Sequence, residues 1–160
     1  MRLYIYIIGI VFFISCATPT VKLPPVKKKE IEYTRLSTDK FIWPVKGEII
    51  GKFGYIYHNR LNKGIDIQTS FNEEVRASKE GRVVFCGSIR GFGPTVIISH
   101  KGNYYTIYAN NYKILVKKNQ FVKQGDVISY VGVDPWLKKP VLHFEIRKKE
   151  KALNPLRLLE

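Results

Sequence analysis

With 160 residues, 45% of them hydrophobic and 25% charged, the chain has the size and balance of a single globular domain able to bury its own core. Lysine and arginine number 27 against 13 aspartates and glutamates, a formal net charge of +14. Such a surface favours an anionic neighbourhood, and the export signal at the start of the chain excludes nucleic acid in favour of cell-wall polymers, anionic headgroups or an acidic protein.

The first element is "MRLYIYIIGIVFFISC". One cation at Arg2, an uncharged apolar run over residues 3–14 and a small residue before a cysteine form a secretory signal over residues 1–15. The run is shorter than the roughly 20 residues a membrane-spanning helix needs. "FISC" resembles a relaxed bacterial lipobox, with Phe13 where leucine is usual, which makes Cys16 the lipidated first residue of the mature chain. Each buried acyl methylene contributes about 0.8 kcal/mol, so lipid at Cys16 holds the chain to a membrane. Ala17 rather than aspartate follows, which in enteric-type lipoprotein sorting implies the outer membrane and a cell-envelope protein facing the periplasm. Residues 16–40 carry three prolines and a triple lysine and read as an extended, solvated tether. With Cys16 used by lipid, Cys86 has no intrachain disulfide partner, and in "GRVVFCGS" it reads as a small buried hydrophobe without a function.

Residues 41–160 consist of short apolar runs, "GEIIGKFG", "GRVVFCGS", "TVIISH", "NYYTIYA" and "DVISYVG", rich in Val, Ile, Tyr and Phe and without helical periodicity. Two of them meet across Lys101-Gly102-Asn103, a hairpin signal. The pattern predicts an all-β domain, an antiparallel β-sandwich or open barrel. No internal repeat and no phosphate-cradling glycine motif is present in the sequence.

The motifs "WPVKGEIIGKFG", "KGIDI", "ASKEGRVVFCG", "RGFGPTVIISHKGNYYTIYA", "ILVKKNQFVKQGDVISYVG" and "LHFEIRKKEKALNPLRLL" follow one another over residues 41–160. Together they resemble a LytM domain, the lysostaphin-type zinc endopeptidases that cut peptide cross-links in peptidoglycan. The resemblance implies an antiparallel β fold with a long groove. It also implies zinc held by the His and Asp of a His-x-x-x-Asp motif and by the second His of a His-x-His. The first His of that pair and another after "YA" assist the attacking water.

Carried over residue by residue, the three metal positions are Asn62, Asp66 and His143, and the two water-activating positions are Asn110 and Val141. A catalytic zinc typically needs three protein ligands and an open position, and Asn62 offers only a neutral carbonyl. Asn110 and Val141 cannot move a proton. The expectation is a chain that is not an enzyme and carries no metal or other cofactor. A rewired zinc endopeptidase is the alternative, using His58, eight residues before Asp66 in a loop, or His100, which is expected at an exposed hairpin end. A third reading is a passive peptidoglycan-binding module.

In "PVLHFEI" the period of a strand puts Val141, His143 and Glu145 on one face and Leu142, Phe144 and Ile146 on the other. Val141 then makes the groove floor apolar, Tyr108 and Asn110 share a face, Tyr55 and Tyr57 lie at the edge, and Lys63 lies on the rim. For the tyrosines plain packing stays open beside contact. Lys63, Tyr108, Asn110, Val141 and His143 are the expected contacts for an amphipathic helix with acidic flanks. Degenerate members of the LytM family act as murein hydrolase activators, engaging the autoinhibitory element of zinc N-acetylmuramoyl-L-alanine amidases. The resemblance thus implies a non-catalytic lipoprotein of cell-wall remodelling or daughter-cell separation. Its partner is a peptidoglycan amidase, with peptidoglycan itself as a further candidate.

Overall fold

The computed structural model describes residues 40–57 and 60–160. The signal, Cys16, the tether before residue 40, His58 and the side chain of Tyr57 lie outside the described residues.

The described residues form β1 (Glu48–Gly51), β2 (Ile56–Tyr57), β3 (Arg60–Leu61), β4 (Ile65–Gln68), β5 (Glu74–Arg76), β6 (Gly81–Ile89) and β7 (Gly93–His100). After these come β8 (Tyr104–Ala109), β9 (Asn111–Ile114), β10 (Phe121–Val122), β11 (Val127–Val131), β12 (Val141–Lys148) and β13 (Lys151–Leu153). Two single 3-10 turns, Lys101–Asn103 and Pro155–Arg157, are the helical pieces among the described residues. The all-β, antiparallel expectation holds.

One sheet runs β1-β4-β12-β8-β7-β6-β10 with β13 beside β12, and a second runs β5-β11-β9. The β7–β8 hairpin turns where "KGN" predicts it, with Gly102 and Asn103 at φ of 73° and 60°, a conformation that glycine and asparagine adopt most readily. β12 lies between β4 and β8, so both its edges are paired. Its Leu142, Phe144 and Ile146 are fully buried in the core with Ile65, Ile67, Val96 and Ile98. Burying each of these side chains contributes roughly 1.5–3 kcal/mol of transfer free energy, enough to lock the strand's register.

That register corrects three expectations. Tyr108 pairs with Phe144 across β8 and β12, and so turns into the core rather than toward a groove. Its ring packs 5.3 Å from that of Phe144, and its hydroxyl accepts from the Ser78 amide at 2.8 Å. The expectation failed because Asn110 leaves the strand at φ 61°, which breaks the period-two relation between 108 and 110. Val141 does lie in β12 one period before His143, yet it is 1% exposed and outside the main hydrophobic cluster, so it is not an open floor. His100, expected at an exposed hairpin end, is buried: Nδ1 meets the Glu80 carbonyl and Nε2 the Thr106 hydroxyl, both at 2.8 Å. Burial lowers its pKa to about 4, so the ring is neutral, donating from Nδ1 and accepting at Nε2.

Candidate functional site

Pairing in register brings residues far apart in the chain into one row. Asp66 in β4 stands opposite His143 in β12, and His143 stands opposite Ala109 in β8, whose small side chain leaves the ring room. Asn62 approaches from just before β4. Its Nδ2 donates to Asp66 Oδ2 at 2.7 Å, while its Oδ1 accepts the Gly64 amide at 2.9 Å. The other Asp66 oxygen, Oδ1, lies 2.7 Å from His143 Nδ1. Across the ring, His143 Nε2 meets Glu145 Oε1 at 3.2 Å. Arg147 closes the row, reaching Glu145 Oε2 from Nε at 2.7 Å and from Nη2 at 2.6 Å.

The row is an alternation of charge. Burial alone would keep His143 neutral, but hydrogen bonds from the ring to Asp66 and Glu145, and their negative charge, outweigh it and raise the pKa to about 9. Burial likewise pushes Glu145 up, and the bonds from His143 and Arg147 more than reverse that, holding its carboxyl below the usual range. At neutral pH both ring nitrogens of His143 carry protons, one aimed at each carboxylate. Glu145 is 1% exposed, and the charge-assisted bonds from both sides are what make a buried carboxylate tenable.

The backbone is shaped for this. β1 bulges between Ile49 and Gly51, opposite Asp66, and a Cβ on Gly51 would stand 1.9 Å from Asp66 Oδ2. Glycine is therefore required for the carboxylate to occupy its place. Over the row lies Phe92 from the β6–β7 turn, its ring edge-on to His143 with centroids 5.4 Å apart.

This donor set does not fit a zinc ion. A catalytic zinc typically takes three protein ligands with nitrogen, sulfur or carboxylate donors, and beside Asp66 and His143 the third group, Asn62, presents only an amide. Asn62 has committed its carbonyl to Gly64, and both oxygens of Asp66 are already bonded. Among the described residues no group of three His, Cys, Asp or Glu side chains could hold a metal ion.

Of the residues singled out in the sequence, the structure thus joins Asn62, Asp66 and His143. It places Lys63 exposed beside them and Tyr55 exposed next to β2. Asn110 belongs to a different contact, donating from Nδ2 to Asp134 Oδ2 at 2.9 Å. Cys86 is half-buried against the core. Arg147, Phe92 and Asp134 escaped the sequence reading. Extending the alternation 141, 143, 145 by one more step would have found Arg147, whereas Phe92 and Asp134 are brought in by loops and carried no local signal.

Residues 60–155 match peptidase family M23. The chain is similar to the murein hydrolase activator NlpD of Salmonella dublin, 40% identical over 150 residues that cover 91% of this chain and 39% of that protein. It is also similar to the lipoprotein NlpD/LppB homolog of Pseudomonas aeruginosa, 41% identical over 146 residues covering 91% and 44%. The chain therefore spans less than half the length of these two relatives. Its fold matches a zinc containing peptidase from Vibrio cholerae with a TM-score of 0.67 and 28% identity, over 73% of this chain and 39% of that one.

Proposed function

Because the chain belongs to peptidase family M23, we propose that it is a non-catalytic member, an envelope lipoprotein anchored at Cys16 that activates a peptidoglycan amidase by binding its autoinhibitory element above His143. In this reading Asn62, Asn110 and Val141 stand where active members have histidine. Similarity to a protein named as a murein hydrolase activator and to one named as a lipoprotein supports it.

The observation that carries the proposal is the row from Asn62 to Arg147. A water-activating metal site must keep an open coordination position and a group to take the proton. Here Asp66, His143 and Glu145 are hydrogen-bonded to one another and to Asn62 and Arg147, and Asn62 brings an amide in place of an imidazole. What remains is a charge-balanced row on a chain that also exposes apolar and basic groups: Ile56 is 71% exposed and Trp136 80%, with Lys63, Arg90, Lys138 and Lys139 also exposed. A surface of alternating apolar and cationic character fits an amphipathic helix with acidic flanks. Activation follows if this surface binds the displaced inhibitory helix better than the closed amidase does, since only differential affinity shifts the population.

The test is dye release from labelled sacculi by the purified chain, alone and together with the zinc amidase of the same cell. Release in the mixture alone supports the activator. Release by the chain without the amidase, abolished by a chelator, overturns it.

A further inference from the structure

The side chain of Asn110 reaches a loop instead of the His143 row. That loop, residues 133–139, is organised by one residue, Asp134. Its Oδ2 accepts from Asn110 at 2.9 Å, and its Oδ1 accepts from the amides of Trp136 at 2.9 Å and Leu137 at 2.8 Å. Its carbonyl accepts the Lys138 amide at 2.9 Å and its own amide donates to the Lys139 carbonyl at 2.8 Å, while Val133 and Pro140 pair at the base. The result is a closed turn with an exposed apolar tip: Trp136 is 80% exposed and Leu137 47%, followed by the exposed Lys138 and Lys139. A presented apolar tip of this kind marks an interaction surface, and its ordering is complete before any partner arrives.

The tip borders a cavity of about 430 Å³ between this loop and the β6–β7 turn, with Arg90 and Gly91 on one wall, Trp136 on the other, and Asn110 and Asp134 also lining it. The guanidinium of Arg60 reaches the same turn, 3.2 Å from where a Cβ on Gly91 would stand. The rim therefore joins an indole to cations across a concave floor.

We propose that the 133–139 loop is an anchor for an amphipathic helix with an acidic flank, Trp136 engaging the apolar stripe and Lys138, Lys139 and Arg90 the acidic one. Asn110 is the positioning residue that fixes the anchor through Asp134. The inference rests on the activator reading, of which it names the recognition element. Charge complementarity selects an acidic occupant, and shape selects a helix over a lipid surface: a row of side chains enters a concave cavity that a flat bilayer cannot. Asparagine at position 110 then holds the anchor through a neutral amide-to-carboxylate bond.

The experiment uses the full chain in detergent with Trp43→Phe, which leaves Trp136 as the single indole of the two in the sequence. Titration with the zinc amidase of the same cell is expected to shift Trp136 emission to the blue and saturate. Trp136→Ala is expected to raise the chain concentration for half-maximal amidase activation roughly tenfold or more, as loss of an interface anchor does. Asn110→Ala is expected to raise it less and, without partner, to lower the fluorescence anisotropy of Trp136, which a merely packed asparagine would not do. Normal activation by Trp136→Ala, or a blue shift with phosphatidylglycerol vesicles or soluble glycan fragments but not with amidase, overturns the proposal. If the unaltered chain fails to activate, the activator reading falls and the anchor with it; if it activates and Trp136→Ala does too, the anchor alone falls.

Discussion

Asp66 and His143, 77 positions apart in the chain, face each other as register partners of β4 and β12, with Asp66 Oδ1 2.7 Å from His143 Nδ1. The second ring nitrogen is 3.2 Å from Glu145, so the imidazolium supplies the positive charge that two neighbouring carboxylates require. The protons on the two ring nitrogens, one toward Asp66 in β4 and one toward Glu145 on the same face of β12, keep this row together.

The row makes the chain less stable at alkaline pH. His143 has a folded-state pKa raised from 6.5 to about 9, so its contribution is complete below pH 6.5 and is lost as pH rises through about 9. The expected outcome is an imidazole resonance of His143 that titrates near pH 9 by NMR, with a melting temperature that falls across the same interval. Titration near 6.5 would show that the carboxylates do not hold the proton.

Gly51→Ala tests the room made for Asp66. The added methyl would overlap Asp66 Oδ2, and overpacking of this kind typically costs about 1–3 kcal/mol. Denaturant unfolding is expected to show that loss together with a lower His143 pKa, because the displaced carboxylate no longer faces the ring. An unchanged midpoint would mean that the bulge in β1 yields freely.

Val141→Glu acts on the fold before it acts on any partner. Val141 is 1% exposed, and an unpaired carboxylate there is expected to cost roughly 3 kcal/mol or more. Val141→Ala should cost about 2 kcal/mol, the ordinary penalty of a small cavity. A Val141→Glu protein as stable as the parent would show that the site opens to water readily.

Metal dependence separates the chain from Asn62→His. The unaltered chain is expected to keep its melting temperature in a chelator, since its donors are committed to one another. Asn62→His places an imidazole beside Asp66 and His143 and is expected to take up zinc that a chelator removes, with a melting temperature that follows the metal. It should still release no dye from sacculi alone, because Asn110 and Val141 supply no base. Near-stoichiometric zinc in the unaltered chain would contradict the closed row.

Much of the molecule was legible in the chain because it is written at short range. Period-two alternation assigned Leu142, Phe144 and Ile146 to the core, and the "KGN" turn marked the β7–β8 hairpin; both depend on neighbours within a few residues. The grouping of Asn62, Asp66 and His143 came instead from the resemblance to LytM motifs, since no local pattern links position 66 to position 143. Locality also misled. Tyr108 and Asn110 are two residues apart, but the left-handed backbone at Asn110 severs their common face. His100 ends a strand and looks exposed, yet it is buried and bonded to the Glu80 carbonyl and Thr106.

Side-chain type and spacing determined the strand faces and the turn, and the residue type at position 62 is asparagine whatever the fold, since each is a property of a few consecutive residues. Only the tertiary structure decided that β4 lies beside β12 in the register that sets Asp66 against His143. It also decided that Phe92 covers the ring and that Asp134 captures Asn110. Those contacts join segments tens of residues apart, and their geometry comes from sheet pairing and core packing, which no local pattern encodes.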